Sequence, residues 1–259
     1  MTNVDTDWVK GAVQARAAIA DLALPQVSEI DAAYPWQDAY VASVAENRGG
    51  VGGFKLAVNG AAQMAHFGVS EPVSARIFGE EIYSNGAVLP DHAFSSLTIE
   101  PELAAILGPA VAELSYPVDR NGALWAIKDF HAAIELIDQR GISIADARLS
   151  QAVALNVFNA GIVLGGQSIA PHRLDVAGLS VSLRIDGEVV GETTGTAPQD
   201  PVEAVTWLLN HLHGRNITVT AGMVVMCGTH MPMRTLEPGT RAVEVAMSGL
   251  GTVSFSLGQ

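Results

Sequence analysis

The chain has 259 residues, of which 49% are hydrophobic, and a formal net charge of −13. This acidic balance excludes a protein that binds nucleic acid through a basic stripe, and the single cysteine excludes an intramolecular disulfide framework. No apolar run is long enough to cross a bilayer and no basic leader precedes one, so we expect a cytoplasmic protein with no membrane partner.

The beginning of the chain has helical patterns. Residues 8–22 place apolar side chains at helical spacing. Ser28 begins a motif that resembles a capping box for a second helix, with Pro35 at a kink or in its first turn. A Gly-Gly pair then breaks the pattern. The sequence therefore predicts a helical N-terminal region over residues 1–48 and a β-rich catalytic domain over residues 49–259.

Short β-like runs separated by turn residues dominate the rest of the chain. The predicted strands are 53–58, 97–107, 134–138, 156–164, 179–185, 188–192, 223–227, 242–247 and 253–257. Asp186-Gly187 suits a tight hairpin turn, residues 124–132 predict a short helix, and residues 201–212 predict an amphipathic one. Together, the predicted helices and strands indicate an α+β fold with a large mixed or antiparallel sheet system.

Two carboxylates lie two residues apart in the predicted strand 97–107. Side chains in a strand alternate between faces, so Glu100 and Glu102 share one face within an apolar run. Buried carboxylates need a proton or a cation between them, and oxygen ligands suit a hard divalent ion. The alternative is an exposed edge strand with solvated acids, which Pro101 favours.

Other polar residues in apolar runs are candidates for chemistry. Glu135 is the natural third member of an oxygen site, although an ion pair with Arg140 would also explain it. Lys55 follows glycines in an apolar strand and suits an acid, a base or a carboxylate anchor, unless it snorkels to the surface. Cys227 and His230 could form a Cys/His pair with a nucleophilic thiol, but a cysteine that ends an apolar strand is ordinarily inert.

The order and spacing of several motifs resemble a known family. These are Gly53-Phe54-Lys55, Ile99-Glu100-x-Glu102, Ile134-Glu135-Leu136-Ile137-Asp138, Ala221–Thr229 and Gly249–Phe255. The set resembles the 2-keto-4-pentenoate hydratase/decarboxylase family of the fumarylacetoacetate hydrolase superfamily, from Tyr34 to the end of the chain. Each motif is weak alone, and the ordered set is specific.

The resemblance implies both an architecture and an activity. The fold would be a fumarylacetoacetate hydrolase-like mixed β-roll or sandwich, with N-terminal helices packed against it, in a homo-oligomer. The activity would be a metal-dependent hydro-lyase, a hydratase of 2-hydroxy-2,4-dienoate or 2-oxo-4-enoate type acids in aromatic catabolism. Two alternatives remain, namely a 2-oxo-3-enedioate (oxalocrotonate-type) decarboxylase on the same scaffold and a non-catalytic partner subunit in a complex with a related lyase.

The resemblance also implies roles for residues, carried over by position. Glu100, Glu102 and Glu135 would ligate Mg²⁺ or Mn²⁺, which would chelate the substrate's carboxylate and 2-oxo oxygens. Lys55 would lie beside the substrate as a proton shuttle or carboxylate partner. Thr229, in the family's penultimate-strand motif, would contact the substrate.

Arg76 is a further candidate for binding substrate. We expect it in a loop, where it could bind a second substrate carboxylate through a bidentate contact. The alternative is a solvated loop arginine.

The loop after the lysine strand departs from the family. Ser70 and Val73 stand where family hydratases carry two aspartates, which removes a candidate base for activating water. The missing aspartates favour decarboxylation over hydration, unless Glu71 acts as the catalytic base instead. The nearby Glu80 and Glu81 are the other two possible substitutes. Residues 154–158 also replace a polar family segment with Ala-Leu-Asn-Val-Phe.

Overall fold

A computed structural model of the chain describes residues 4–143 and 147–258. Its α-helices are α1 (Thr6–Ala18), α2 (Ile30–Ala45), α3 (Ala61–Phe67), α4 (Arg120–Ala126), α5 (Leu149–Ala154) and α6 (Pro201–Gly214). Its strands are β1 (Val51–Ala57), β2 (Val73–Phe78), β3 (Ile82–Ser84), β4 (Ala87–Pro90), β5 (Leu97–Leu107), β6 (Ile127–Asp138), β7 (Asn159–Ile169), β8 (Ser180–Ile185), β9 (Glu188–Thr194), β10 (Val224–Thr229), β11 (Arg234–Thr235), β12 (Ala242–Met247) and β13 (Gly251–Gly258).

The strands form two mixed sheets, which confirms the α+β class. The larger sheet has the order β2-β1-β10-β5-β6-β7-β3, with β11 also pairing with β5, and the smaller has the order β4-β13-β12-β8-β9. β2 contacts β7 across the larger sheet, so this sheet curls on itself into a roll. None of the described helices is long and apolar enough to cross a membrane.

The curled sheet has two differently packed faces. Its outer face joins the second sheet and α6 in the main apolar core, which includes Phe54, Ile134 and Leu208. Its inner face carries a smaller apolar cluster of Ile77, Ala104, Ala133, Ile162, Val224 and Met226. Because side chains alternate along a strand, the inner face continues from Ala104 and Ala133 to Glu102 and Glu135.

The N-terminal helices pack against this roll, as expected. Tyr40 and Val44 of α2 join Phe78, Ile137 and Phe158 in one apolar cluster. From α1, the buried Arg16 donates to the carbonyl oxygen of Asn159 at 2.8 Å and pairs with Glu81 at 2.5 Å. The domain boundary at residue 48 stays a prediction.

Two helix expectations were wrong in detail. α2 begins after Glu29 with no side-chain cap, so Ser28 does not open it, and Pro35 lies inside the helix beyond its first turn, where a kink stays a prediction. The helix expected at 124–132 is α4, which begins earlier because the Asp119 carboxylate accepts from Gly122 N at 2.8 Å. Strand β6 then starts at Ile127.

Candidate functional site

Three glutamates converge on the inner face of the roll. Glu100 lies directly opposite Glu135 in the β5–β6 register, and Glu102 follows two residues along on the same face. One carboxylate oxygen from each of the three lies within 4.8 Å of the others. Glu102 and Glu135 are buried, while Glu100 is partly exposed. The group could hold a metal ion.

The strand that carries two of these glutamates is central, so the edge-strand alternative is wrong. β5 has β6 on one side and both β10 and β11 on the other. Pro101 lies where this second side passes from β10 to β11, next to a register shift opposite residues 102–104. Its carbonyl oxygen accepts from His230 N at 2.9 Å, so a proline is tolerated inside the sheet.

Lys55 is buried beside the glutamates, so it does not snorkel to solvent. Its side chain points inward from β1, and Nζ forms an ion pair with Glu135 Oε1. Nζ also donates to the carbonyl oxygen of Val157 at 2.9 Å. Arg140 pairs with Asp138 at 3.3 Å, so the alternative partner of Glu135 is otherwise engaged.

Burial and repulsion make Glu100 and Glu102 unusually weak acids. Burial first, and then the charge of Glu135, raise the pKa of Glu100 to about 8, against the opposing effect of Lys55. Burial, Glu135 and Glu100 hold the pKa of Glu102 well above its usual range. One ammonium group does not balance three carboxylates, so the site favours protons or a cation.

A divalent ion fits this donor set. The three ligand groups are carboxylates, which suit hard cations such as Mg²⁺, Mn²⁺ or Ca²⁺ rather than the nitrogen and sulfur sites of zinc. Among the described residues, no histidine or cysteine joins this group. Cys227 is buried nearby, and burial raises the pKa of its thiol, so a nucleophilic role is not supported.

Gly228 orients Glu102. Its backbone N–H donates to Glu102 Oε2 at 2.9 Å. The φ of Gly228 is +108°, and a Cβ there would meet the side-chain amide of Asn59 at 2.6 Å and Pro198 Cγ at 2.7 Å. The close approach of the backbone to the carboxylate therefore requires glycine at this position.

A left-handed turn orients Lys55 from the opposite side. Asn156, Val157 and Phe158 have φ values of 55°, 47° and 52°. This conformation is costly for a β-branched residue such as Val157. The Asn156 side chain holds the turn by bridging Arg76 N at 2.7 Å and Arg76 O at 2.8 Å. The strand predicted from residue 156 therefore begins only at Asn159.

These groups open into a cavity of about 130 Å³. Lys55 and the three glutamates lie along its wall, with the amides of Asn59 and Gln63. The remaining wall is mostly apolar and includes Phe67, Phe158 and Met233. Sequence reasoning missed four of these wall residues, Asn59, Gln63, Phe67 and Met233, because they come from segments without a recognisable motif.

Thr229 lies along the cavity, so its contact with substrate stays a prediction, whereas Glu71 does not line the cavity. Thr229 is half-buried, and its Oγ1 donates to the carbonyl oxygen of Met231 at 2.6 Å. Glu71 is exposed in the bend between α3 and β2. Of the two suggested substitutes, Glu80 is exposed and Glu81 is buried against Arg16, and neither lines the cavity.

The expectation that Arg76 lies in a loop was wrong. Arg76 is a buried residue of β2 and lies opposite Phe54, on the face turned away from Lys55. Its guanidinium group pairs with the Asp38 and Gln37 side chains of α2. Arg76 is not among the residues that line the cavity, because strand alternation directs it outward.

Comparisons with known proteins agree with this geometry. The chain matches no protein-family profile. It is 30% identical over 205 residues to 2-keto-4-pentenoate hydratase of Burkholderia vietnamiensis, covering 78% of this chain and 76% of the relative.

Solved structures show the same fold. The 4-oxalocrotonate decarboxylase of Pseudomonas putida G7, complexed with magnesium and adipate, matches with a TM-score of 0.85 at 24% identity, over 97% of this chain and 96% of that one. The fumarylacetoacetate hydrolase of Exiguobacterium antarcticum matches with a TM-score of 0.59 at 18% identity, over 80% and 74%. The fumarylacetoacetate hydrolase-like architecture is therefore confirmed.

Proposed function

Because the chain belongs to the 2-keto-4-pentenoate hydratase family of the fumarylacetoacetate hydrolase superfamily, we propose that it is a divalent-metal-dependent hydro-lyase. Its substrates are small acids of the 2-hydroxy-2,4-dienoate or 2-oxo-4-enoate type. The observation that carries the proposal is the convergence of three glutamates and one buried lysine on a single small cavity.

Glu100, Glu102 and Glu135 would hold Mg²⁺ or Mn²⁺. When bound, such an ion supplies a Lewis acid for the oxygens of a 2-oxo acid. The chain itself fixes the three carboxylates: the β5–β6 register sets Glu100 against Glu135, and the Gly228 N–H orients Glu102. This preorganisation keeps the ligand geometry before any substrate enters.

Lys55 moves a proton at its Nζ. In a hydratase the dienol is first ketonised, with a proton leaving the 2-hydroxyl oxygen and another joining C5. Water then adds at C4, and C3 takes a proton. The Lys55 ammonium, held by Glu135 and by the Val157 carbonyl, is placed to deliver these protons or to hold the substrate carboxylate.

A decarboxylase is the second candidate, and one observation favours it. Val73, where family hydratases carry an acid, is buried and pairs with Ala57, while Glu71 is exposed and off the cavity. Among the described residues, the cavity wall has no carboxylate beyond the three ligand glutamates to activate water. A non-catalytic partner subunit is disfavoured, because three clustered carboxylates beside one buried lysine are costly in a protein that binds no ion there.

Family membership supports three broader proposals. We place the protein in the cytoplasm, in the catabolism of aromatic compounds, and in a homo-oligomer. Light scattering coupled to size-exclusion chromatography would test the assembly.

Mass spectrometry of the products tests the proposed function. The protein with Mg²⁺ is supplied with 2-hydroxypenta-2,4-dienoate and, separately, with 2-oxohex-3-enedioate. Gain of one water by the first substrate supports the hydratase, and loss of CO₂ from the second supports the decarboxylase. A Glu102→Gln variant is the control, and equal turnover by this variant would contradict the role of the glutamates.

A further inference from the structure

We propose that the cavity selects acids with a single carboxylate and an uncharged, apolar tail, and that it discriminates against dicarboxylic acids of the same length. This inference rests on the proposed function, since it assumes that the 2-oxo or 2-hydroxy acid end of the substrate binds at Lys55 and the three glutamates. It adds the chemical class of the other end of the substrate.

The described wall of the cavity offers no unpaired cationic side chain. Among the described residues along the wall, Lys55 is the only Lys, Arg or His, and it is paired with Glu135. Residues 144–146, which lie outside the described part of the chain, are Ile, Ala and Asp, so none of them is basic. The charges of three carboxylates, one ammonium group and one divalent ion sum to zero. The first carboxylate of the substrate is therefore balanced only by direct contact with the ion and Lys55.

Cations close in sequence to the wall do not themselves line it, and Arg148, between the wall residues Ala147 and Leu149, is exposed. Arg76 pairs with Asp38, and Arg140 pairs with Asp138 at 3.3 Å. Arg234 follows Met233 but is exposed, and its guanidinium lies 3.5 Å from the carbonyl oxygen of Val190. A second substrate carboxylate would therefore meet no basic side chain among the described wall residues.

Apart from the amides of Asn59 and Gln63 and the Thr229 hydroxyl, the rest of the wall is apolar. Ile137, Leu149 and Phe158 belong to this apolar part. Transfer of a carboxylate from water to such a wall is unfavourable without a partner, whereas transfer of a methyl or vinyl group is favourable.

Two large apolar side chains lie on the exposed part of the cavity wall, which also includes the exposed Gln63. Phe67 and Met233 are 37% and 46% exposed, and both lie along the cavity. They are two of only five large hydrophobic residues exposed in the described part of the chain. Contact with an apolar substrate tail explains why both are retained at one opening.

Two saturated 2-oxo acids of equal length test the inference without turnover. 2-Oxohexanoate and 2-oxoadipate share the 2-oxo acid end and differ in a terminal methyl or carboxylate group. We expect calorimetry in Mg²⁺ to give at least about tenfold tighter binding of 2-oxohexanoate. Equal or tighter binding of 2-oxoadipate would overturn the inference while leaving the proposed function intact.

A charge introduced at the mouth tests the cause. The Met233→Lys variant is expected to improve binding of 2-oxoadipate relative to 2-oxohexanoate by at least about fivefold, because it supplies the missing cation. Val88→Lys is the matched control, since Val88 is 69% exposed and lies away from the cavity. An unchanged ratio in Met233→Lys, or the same change in both variants, would overturn the inference.

Two further outcomes separate this inference from the proposed function. If neither 2-oxo acid binds the Mg²⁺-loaded wild-type protein, the proposed function fails and the inference fails with it. If 2-oxohex-3-enedioate is turned over with release of CO₂ and is preferred to its monocarboxylic analogue, the lyase proposal stands and only the inference fails.

Discussion

Glu100 and Glu135 occupy directly opposed positions on the central strands β5 and β6, although 35 positions separate them in the sequence. The pairing register therefore decides whether the site exists. A slip of one residue would turn Glu135 to the outer, apolar face of the sheet. Apolar side chains on both faces of the sheet fix the pairing register. The same register brings the carboxylates of the site close together, where they repel one another.

Burial of Glu100, together with that repulsion, gives a pH-dependent stability in the metal-free protein. The pKa of Glu100 is about 8 in the folded protein against its ordinary value of 4.5. Between these values the folded state keeps a proton that the unfolded chain has lost, so this group's contribution to stability falls as pH rises through 8. Glu100→Gln removes the effect.

We expect the Tm of Glu100→Gln to exceed that of the wild type at pH 8 in a chelator, and the difference to shrink toward pH 5. Added Mg²⁺ should reverse the order, because it stabilises only a state that binds it. Differential scanning calorimetry at both pH values measures this. Identical Tm values of the two proteins at pH 8 in chelator would contradict the destabilisation that we assign to the buried carboxylate of Glu100.

Lys55→Met should abolish most activity. The change removes the ammonium that lines the cavity and leaves Glu135 buried without its partner, so we expect kcat to fall by about 10²-fold or more. Lys128→Met is the control, because Lys128 is exposed and pairs only with Asp129 at 3.5 Å. Steady-state kinetics on both variants provides the measurement, and comparable kcat values would exclude a role for Lys55.

Gly228→Ala should weaken metal binding. A Cβ at this position collides with Asn59 and displaces the N–H that holds Glu102, so we expect about a tenfold loss of Mg²⁺ affinity or more. Gly222→Ala is the matched control, since Gly222 also has a positive φ, of +89°, but a Cβ there would meet no atom within 4 Å.

Calorimetric titration with Mg²⁺ compares the two glycine variants. If Gly222→Ala loses as much affinity as Gly228→Ala, backbone strain rather than the Glu102 hydrogen bond explains the effect.

Asn156→Ala should reduce both stability and turnover. It removes two buried hydrogen bonds to Arg76, which costs about 2–4 kcal/mol, and it releases the turn that aims the Val157 carbonyl at Lys55. Asn210→Ala removes the same kind of pair, to Val118 N at 2.7 Å and Val118 O at 2.8 Å, away from the cavity.

Denaturant unfolding and kinetics on both asparagine variants separate the two effects. We expect similar losses of stability and a lower kcat only for Asn156→Ala. A normal kcat in a folded Asn156→Ala protein would show that the turn does not position Lys55.

Local patterns in the sequence were sufficient for several elements. Strand β5 has the predicted bounds, and the Asp186-Gly187 turn has the two positive φ values, 51° and 86°, that its residues favour. Asp200 caps α6 by accepting from Val202 N at 2.8 Å. Each of these depends on neighbours within a few residues.

Features that depend on remote partners could not be predicted. The central place of β5 is set by β10 and β11, which are more than 100 residues away. Arg76 is paired through Asp38 of α2, and the left-handed turn at Asn156 is held by β2. Glu100, Glu102, Glu135 and Lys55 were found only because buried charges in apolar strands need partners.

Calorimetric titration of Mg²⁺ into metal-free protein at pH 7 and pH 9 tests the central claim most directly. We predict one ion per chain in the wild type, with higher affinity at pH 9 because Glu100 and Glu102 must lose protons to bind it. The variant with Glu100, Glu102 and Glu135 all replaced by Gln should bind none. Equal binding by the wild type and this variant would contradict a metal site at the three glutamates.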